Sequence, residues 1–137
     1  MKFFNRDGKY NFVDENNVYL GYDSNRQCCE TAGFFIDALP LKDGEDISGK
    51  DYCVVPDLDD FRFDPSFFQC VDAVDDDCPG ASSQVAVFRI VNDDNDKNDK
   101  NDKSESLYIH LFNTHNGYYA HGFSFKQDDN KIQSGKL

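Results

Sequence analysis

The chain has no Trp, one Met and four Pro in 137 residues, and Leu and Ala are sparse beside 13 Phe and 7 Tyr. A helix bundle needs the good helix formers that are scarce here, so the core must come from aromatic and β-branched side chains, which suit strands. No segment approaches the roughly 18 apolar residues of a membrane-spanning helix. The N-terminus, Met1-Lys2-Phe3-Phe4-Asn5-Arg6-Asp7, lacks the apolar run of a signal peptide, and a cytoplasmic location is expected. Glycine-rich phosphate loops and a Gly-x-Ser-x-Gly elbow are also missing. The five Cys (Cys28, Cys29, Cys53, Cys70 and Cys78) show neither zinc-type spacing nor Cys-x-x-Cys, so they are expected to be reduced and buried as small hydrophobes. No cofactor is expected.

What is present reads as strands. Asn116-Gly117 lies between two runs rich in aromatic and β-branched residues, the signature of a two-residue hairpin turn whose residues need positive φ. That turn predicts Phe112 opposite His121, His110 opposite Phe123 and Tyr108 opposite Phe125 on one face of a ribbon. Val85 to Val91, apolar on both faces apart from Arg89, reads as a central strand covered on two sides. Tyr10–Asp14 and Val18–Tyr22 predict a second hairpin, Gly33–Ile36 a strand crossing the core, and Tyr52–Val55 a short strand closed by Pro56. Asp64-Pro65-Ser66 predicts a helix start, followed by Phe67, Phe68, Val71 and Val74 near helical spacing, although 70–74 reads equally well as a strand. The Asp/Asn/Lys/Ser run at 92–106 has no apolar residue and is expected to be a disordered loop, with a frayed tail after about 126. The expectation is a single domain over 1–137 with a β-rich α+β fold, mainly antiparallel sheet of hairpins with one short helix.

The net charge is −12. Residues 43–77 hold twelve acids and two bases, whereas the segments on either side are each within one charge of balance. Such a field disfavours nucleic acid and anionic membranes and favours a basic partner. Asp57, Asp59, Asp60, Asp64, Asp72, Asp75, Asp76 and Asp77 lie within 21 residues, interspersed with Phe61 and Phe63. Carboxylates for steering beside aromatic anchors make this band the expected partner-binding site.

Two other constellations compete with it. Asp94, Asp96, Asn98, Asp102 and Glu105 occupy oxygen-ligand positions of a loop resembling the EF-hand, but Asp99 stands where the sharp turn needs Gly, and strands replace the flanking helices. His110 and His121, diagonal neighbours in the predicted hairpin, would lie near enough to share a metal ion, with Cys28-Cys29 as a further source of ligands.

In size, acidity and location the chain resembles immunity-type inhibitors of nuclease toxins and DNA-mimic proteins, a likeness of general properties that no motif carries. The expected function is therefore a non-enzymatic acidic protein that masks a basic partner, such as a nuclease toxin or a nucleic-acid-binding protein, without touching nucleic acid or membrane itself. The alternative is a metal-binding protein or small metal-dependent hydrolase using His110 and His121.

Overall fold

A computed structural model describes residues 1–25, 30–92, 105–115 and 120–137. Its two longest strands, β7 (Ser82–Asn92) and β8 (Glu105–His115), pair antiparallel over their whole length, Ser82 opposite His115 and Asn92 opposite Glu105. On one face Ala86, Phe88 and Ile90 of β7 meet Ile109 and Leu111 of β8, and on the other Val85 and Val87 meet Phe112 and His110. A strand pair apolar on both faces has to be covered twice, as the run from Val85 to Val91 predicts.

The first cover is a second sheet. β1 (Lys2–Arg6), β2 (Lys9–Val13), β3 (Val18–Asp23), β9 (Gly122–Gln127) and β10 (Asn130–Lys136) form sheet 1 in the order β1-β2-β3-β9-β10. Sheet 2 runs β4-β8-β7-β5, where β4 is Thr31–Asp37 and β5 is Phe61–Phe63, and β6 (Gln69–Ala73) also pairs with β7. Between the sheets Phe12, Leu20, Tyr22 and Phe125 pack on Phe34, Phe63, Phe88 and Ile109. The Tyr22 hydroxyl donates to the Phe112 carbonyl at 2.8 Å, tying one sheet to the other, and burial pushes that phenol far above its usual range. Asp14 is a second tie. Its carboxylate accepts the N–H groups of Asn16, Val18 and Phe63 at 2.9 Å each, so the β2–β3 turn and β5 share one buried acceptor.

The second cover is the segment from 38 to 60, which contains no strand. Leu41, Ile47 and Tyr52 drop from it onto Phe35, Val87 and Phe112 and make a separate core on the outside of sheet 2. Tyr52–Val55 is therefore loop, not strand: the Tyr52 ring packs tilted on Phe112, centroids 4.5 Å apart, and Cys53, at φ 59, donates its N–H to the Phe34 carbonyl on the free edge of β4.

The fold is a β-rich one of antiparallel strands, and the described residues contain no helix. In place of the helix expected from Asp64, β5 and β6 lie end to end along the same side of β7, Phe63 opposite Ile90 and Val71 opposite Val85. The Asp64 carboxylate does cap Ser66, accepting its N–H at 3.1 Å and its hydroxyl at 2.6 Å, but the turn goes no further because β7 offers an open ladder on either side. The tail is also ordered. β10 pairs with β9, and buried Leu137 exchanges two backbone hydrogen bonds of 2.9 Å with His121.

Candidate functional site

The hairpin that would have joined His110 to His121 does not form. β8 pairs with β7 and β4 in sheet 2, while β9 pairs with β3 and β10 in sheet 1, so the chain changes sheets between them. Asn116-Gly117 lies outside the described residues, and so do Cys28-Cys29 and the EF-hand-like positions except Glu105, which opens β8. β8 lies between β4 and β7, which satisfy the backbone groups on both of its edges, while its two apolar faces are covered by sheet 1 and by the 38–60 segment.

Each histidine has its own structural setting. His110 stacks flat on Phe35 at 4.4 Å beneath the covering loop, and its Nε2 accepts the Leu41 N–H at 3.0 Å. Burial lowers its pKa to about 4, so the ring stays neutral and remains an acceptor. His121 lies at the start of β9. Its Nδ1 sits 2.8 Å from the Asp23 carbonyl, which can only accept, and its Nε2 sits 2.6 Å from Glu30 Oε1, both side chains almost fully buried. Nδ1 therefore donates to that carbonyl, and Nε2 faces the carboxylate. Among the described residues no three His, Cys, Asp or Glu side chains converge as a metal ion would need.

A cleft of about 450 Å³ opens beside this pair, lined by Glu30, Thr31, Cys78, Gly80, Ala81 and Thr114. Behind it Ser83 and Thr114 hydroxyls lie 2.8 Å apart, and Thr114 Oγ1 donates to Asp75 at 3.2 Å. The cleft has threonine hydroxyls and a thiol on its walls, and the Thr114 hydroxyl is held by the buried Asp75 carboxylate. Cys53 and Cys70 are exposed and Cys78 is half-buried, so these three thiols are not the buried small hydrophobes expected.

The acidic band is presented along the outer edge of sheet 2. Segment 44–47 extends that edge beyond β6: Gly44 donates to the Asp72 carbonyl at 2.8 Å, Val74 to Glu45 at 2.9 Å and Ile47 to Val74 at 2.8 Å. Buried Leu41, Ile47 and Val71 anchor this strip, while Asp43, Glu45, Asp46, Asp72, Asp76 and Asp77 stay exposed. At its other end Asp57, Asp59 and Asp60 form a tight turn around buried Leu58, whose carbonyl accepts the Met1 ammonium at 3.0 Å. Phe61 faces Asn92 and Ala73 faces Ser83, so the two groups of acids are separated by about 30 Å of strand at the usual rise.

Four of the expected partner-binding residues do not face solvent freely. Phe61 and Phe63 are 6% and 2% exposed and belong to the core between the sheets, because β5 alternates Phe61 and Phe63 inward with Arg62 outward. Asp75 is 7% exposed and bonded to Thr114, and Asp64 is held 3.4 Å from Arg89. The strip adds Asp43, Glu45 and Asp46, which the chain order hides because the loop brings them to β6 from some 30 residues away. Here like charges crowd. Asp46 Oδ1 accepts the Asp76 N–H at 3.3 Å, and the Asp46 charge raises the Asp76 pKa, while hydrogen bonds from Ser48 lower that of Asp46. Among the described residues no Lys or Arg nitrogen lies within 4.0 Å of these strip carboxylates. Compared with protein-family models, curated proteins and solved structures, the chain matches none of them.

Proposed function

We propose that the protein is a non-enzymatic binding protein whose acidic edge, built from 43–46 and 72–77 and continued by 57–60, docks and masks a basic protein partner. The carrying observation is the set of carboxylates fixed by backbone pairing to a rigid edge and left without countercharge, so that Asp76 is penalised by Asp46. A cationic surface would relieve that repulsion, and rigid placement means little side-chain ordering on docking. The charged edge has a second consequence in the free protein, where unpaired strands invite other chains and carboxylates keep them away. That service needs only a few charges, and this edge carries two groups of them about 30 Å apart. A nuclease toxin or a nucleic-acid-binding protein is the partner class that such a surface suits, its phosphate-binding cations meeting carboxylates in place of phosphates.

The test uses a partner recovered by affinity capture from the source cell at low salt and lost at high salt. Changing Asp43, Asp72, Asp76 and Asp77 together to Asn should slow its association at least tenfold and flatten the salt dependence. Changing Asp7, Glu15, Asp128 and Asp129, four acids in the turns of sheet 1, should leave the rate within about twofold if the site is local. Equal effects from both sets, or no partner retained at low salt, refute the assignment.

A further inference from the structure

The outer face of sheet 1 is uncovered, and its register sorts its side chains into three rows across all five strands. One outer row reads Lys2, Val13, Tyr19, Lys126, Lys131, and the other reads Arg6, Lys9, Asp23, Gly122, Lys136. The middle row is Phe4 on the edge strand followed by the small or polar Asn11, Gly21, Ser124 and Ser134. Six of the protein's 14 Lys and Arg thus stand on two banks of one shallow trough, about 13 Å apart at the strand rise and spanning roughly 19 Å across the strands. Apart from Arg6, beside Asp7 at 3.7 Å, none of the six has a carboxylate within 4.0 Å among the described residues. The acidic edge belongs to the other sheet, about 10 Å further away, beyond the ~8 Å over which charge acts at physiological salt.

We infer that this trough binds an extended anionic polysaccharide, its sulfates or carboxylates reaching both banks and its hydroxyls meeting the floor. Two banks of cations call for a chain that carries charge on both sides, whereas a single nucleic-acid strand carries one rail of phosphate and needs rings on which its bases can stack. Such rings are scarce here. Phe4 is 43% exposed but stands on the edge strand, and the Tyr19 ring lies across Gly21 with Lys126 Nζ 5.2 Å over it and its hydroxyl given to Asn11 at 2.7 Å. The polar groups of the floor suit sugar hydroxyls. The hydroxyls of Ser124 and Ser134 have no hydrogen-bond partner among the described residues, and Asp23, whose Oδ1 accepts the Asn25 N–H at 3.0 Å, keeps lone pairs that a sugar hydroxyl can meet. A depression of about 350 Å³ bounded by Lys9, Tyr19, Gly21, Asp23, Asn25 and Ser124 gives one sugar unit a seat. Gly21 is required there, because a Cβ would stand 2.2 Å from the Tyr19 hydroxyl.

The experiment is calorimetric titration of the whole protein with a heparin oligosaccharide (sulfate), a polygalacturonate oligomer (carboxylate) and an oligo-dT of equal charge. One of the two saccharides should bind at least tenfold tighter than oligo-dT, and which one does identifies the anionic group. Lys9→Gln, Lys126→Gln and Lys136→Gln combined should weaken that binding roughly tenfold or more, with a shallower salt slope, since each exposed contact is worth little alone. Lys42→Gln, away from this face, should change nothing. The inference is overturned if neither saccharide binds at low ionic strength, if oligo-dT binds as tightly, or if the triple variant, shown by circular dichroism to be folded, binds like the parent.

Discussion

At the scale of single residues, the side chains that decide the structure are polar ones that the sequence shows only as composition. His110 is the clearest case, because its role as an acceptor for Leu41 requires the neutral ring. In the unfolded chain the ring takes up a proton near pH 6.5, whereas in the fold it does so only near pH 4. Between those values the unfolded state binds more protons, so stability falls as pH falls through the window, by up to roughly 3 kcal/mol. Asp37 and Lys50 lie in the same pocket as the ring, and their 2.6 Å hydrogen-bonded ion pair lowers the Asp37 pKa, away from this range. Urea midpoints measured from pH 7 to 4.5 should therefore drop more steeply for the parent than for His110→Gln, which cannot titrate. Parallel curves would mean that the ring is already protonated in the fold or is not buried. Asp14 teaches the same lesson from a different element: its three N–H partners include Phe63, 49 residues away, and no local pattern marks it apart from the other Asp residues.

At the scale of elements, most strands were legible and most of their partners were not. The β2–β3 hairpin, β4 and the two-sided character of β7 follow from alternation and apolar runs, which are local properties of the chain. Where β8 pairs is a competition between distant surfaces: it lies between β4 and β7, while β9 pairs in the other sheet, and a local turn signal says nothing about those partners. The helix expected at Asp64 failed for a related reason: the cap is real, but the edge of β7 offered a hydrogen-bonded alternative at both of its ends. The site was half legible. The acids were visible, their grouping along one edge was not, and the nearby Phe61 and Phe63 looked like anchors because chain proximity says nothing about which side of a strand faces the core. The covering loop shows how a polar segment still has structural weight. Ile47, fully buried within it, closes the second core, whereas Leu39 in the same loop is 75% exposed. Ile47→Ala should cost about 2–5 kcal/mol, a drop in melting temperature on the order of 10 °C, and Leu39→Ala almost nothing. If both variants melt like the parent, the loop is an ornament on sheet 2, not its second cover.

At the scale of the whole molecule, charge is segregated in a way that the net value of −12 conceals. Sheet 1 and its turns hold six acids and six bases, with the bases on the strands and most of the acids at the turns, while the described remainder holds 15 acids and four bases. The protein is thus polarised, and its acidic edge is a place where stability has been conceded to charge density. Asp76 shows the concession in one residue. Its carboxyl is easier to protonate in the fold than in the unfolded chain because Asp46 stands beside it, so the folded state binds more protons and loses stability as pH rises through the raised pKa. Removing that charge should reverse the loss. Asp76→Asn should therefore melt at a higher temperature than the parent at neutral pH and low ionic strength, and the gap should close as salt is added, because the repulsion it relieves lies between exposed groups that salt screens. If the edge docks a basic partner as proposed, the same variant should bind that partner more slowly, which separates an edge kept acidic for docking from one that is acidic by drift. Asp46→Asn makes a poor substitute, since the Asp46 carboxylate also accepts the Ser48 N–H and hydroxyl at 2.9 and 2.6 Å. A variant at Asp76 that melts lower than the parent, or whose advantage survives high salt, would mean that the crowding seen at the edge carries no energetic penalty in solution.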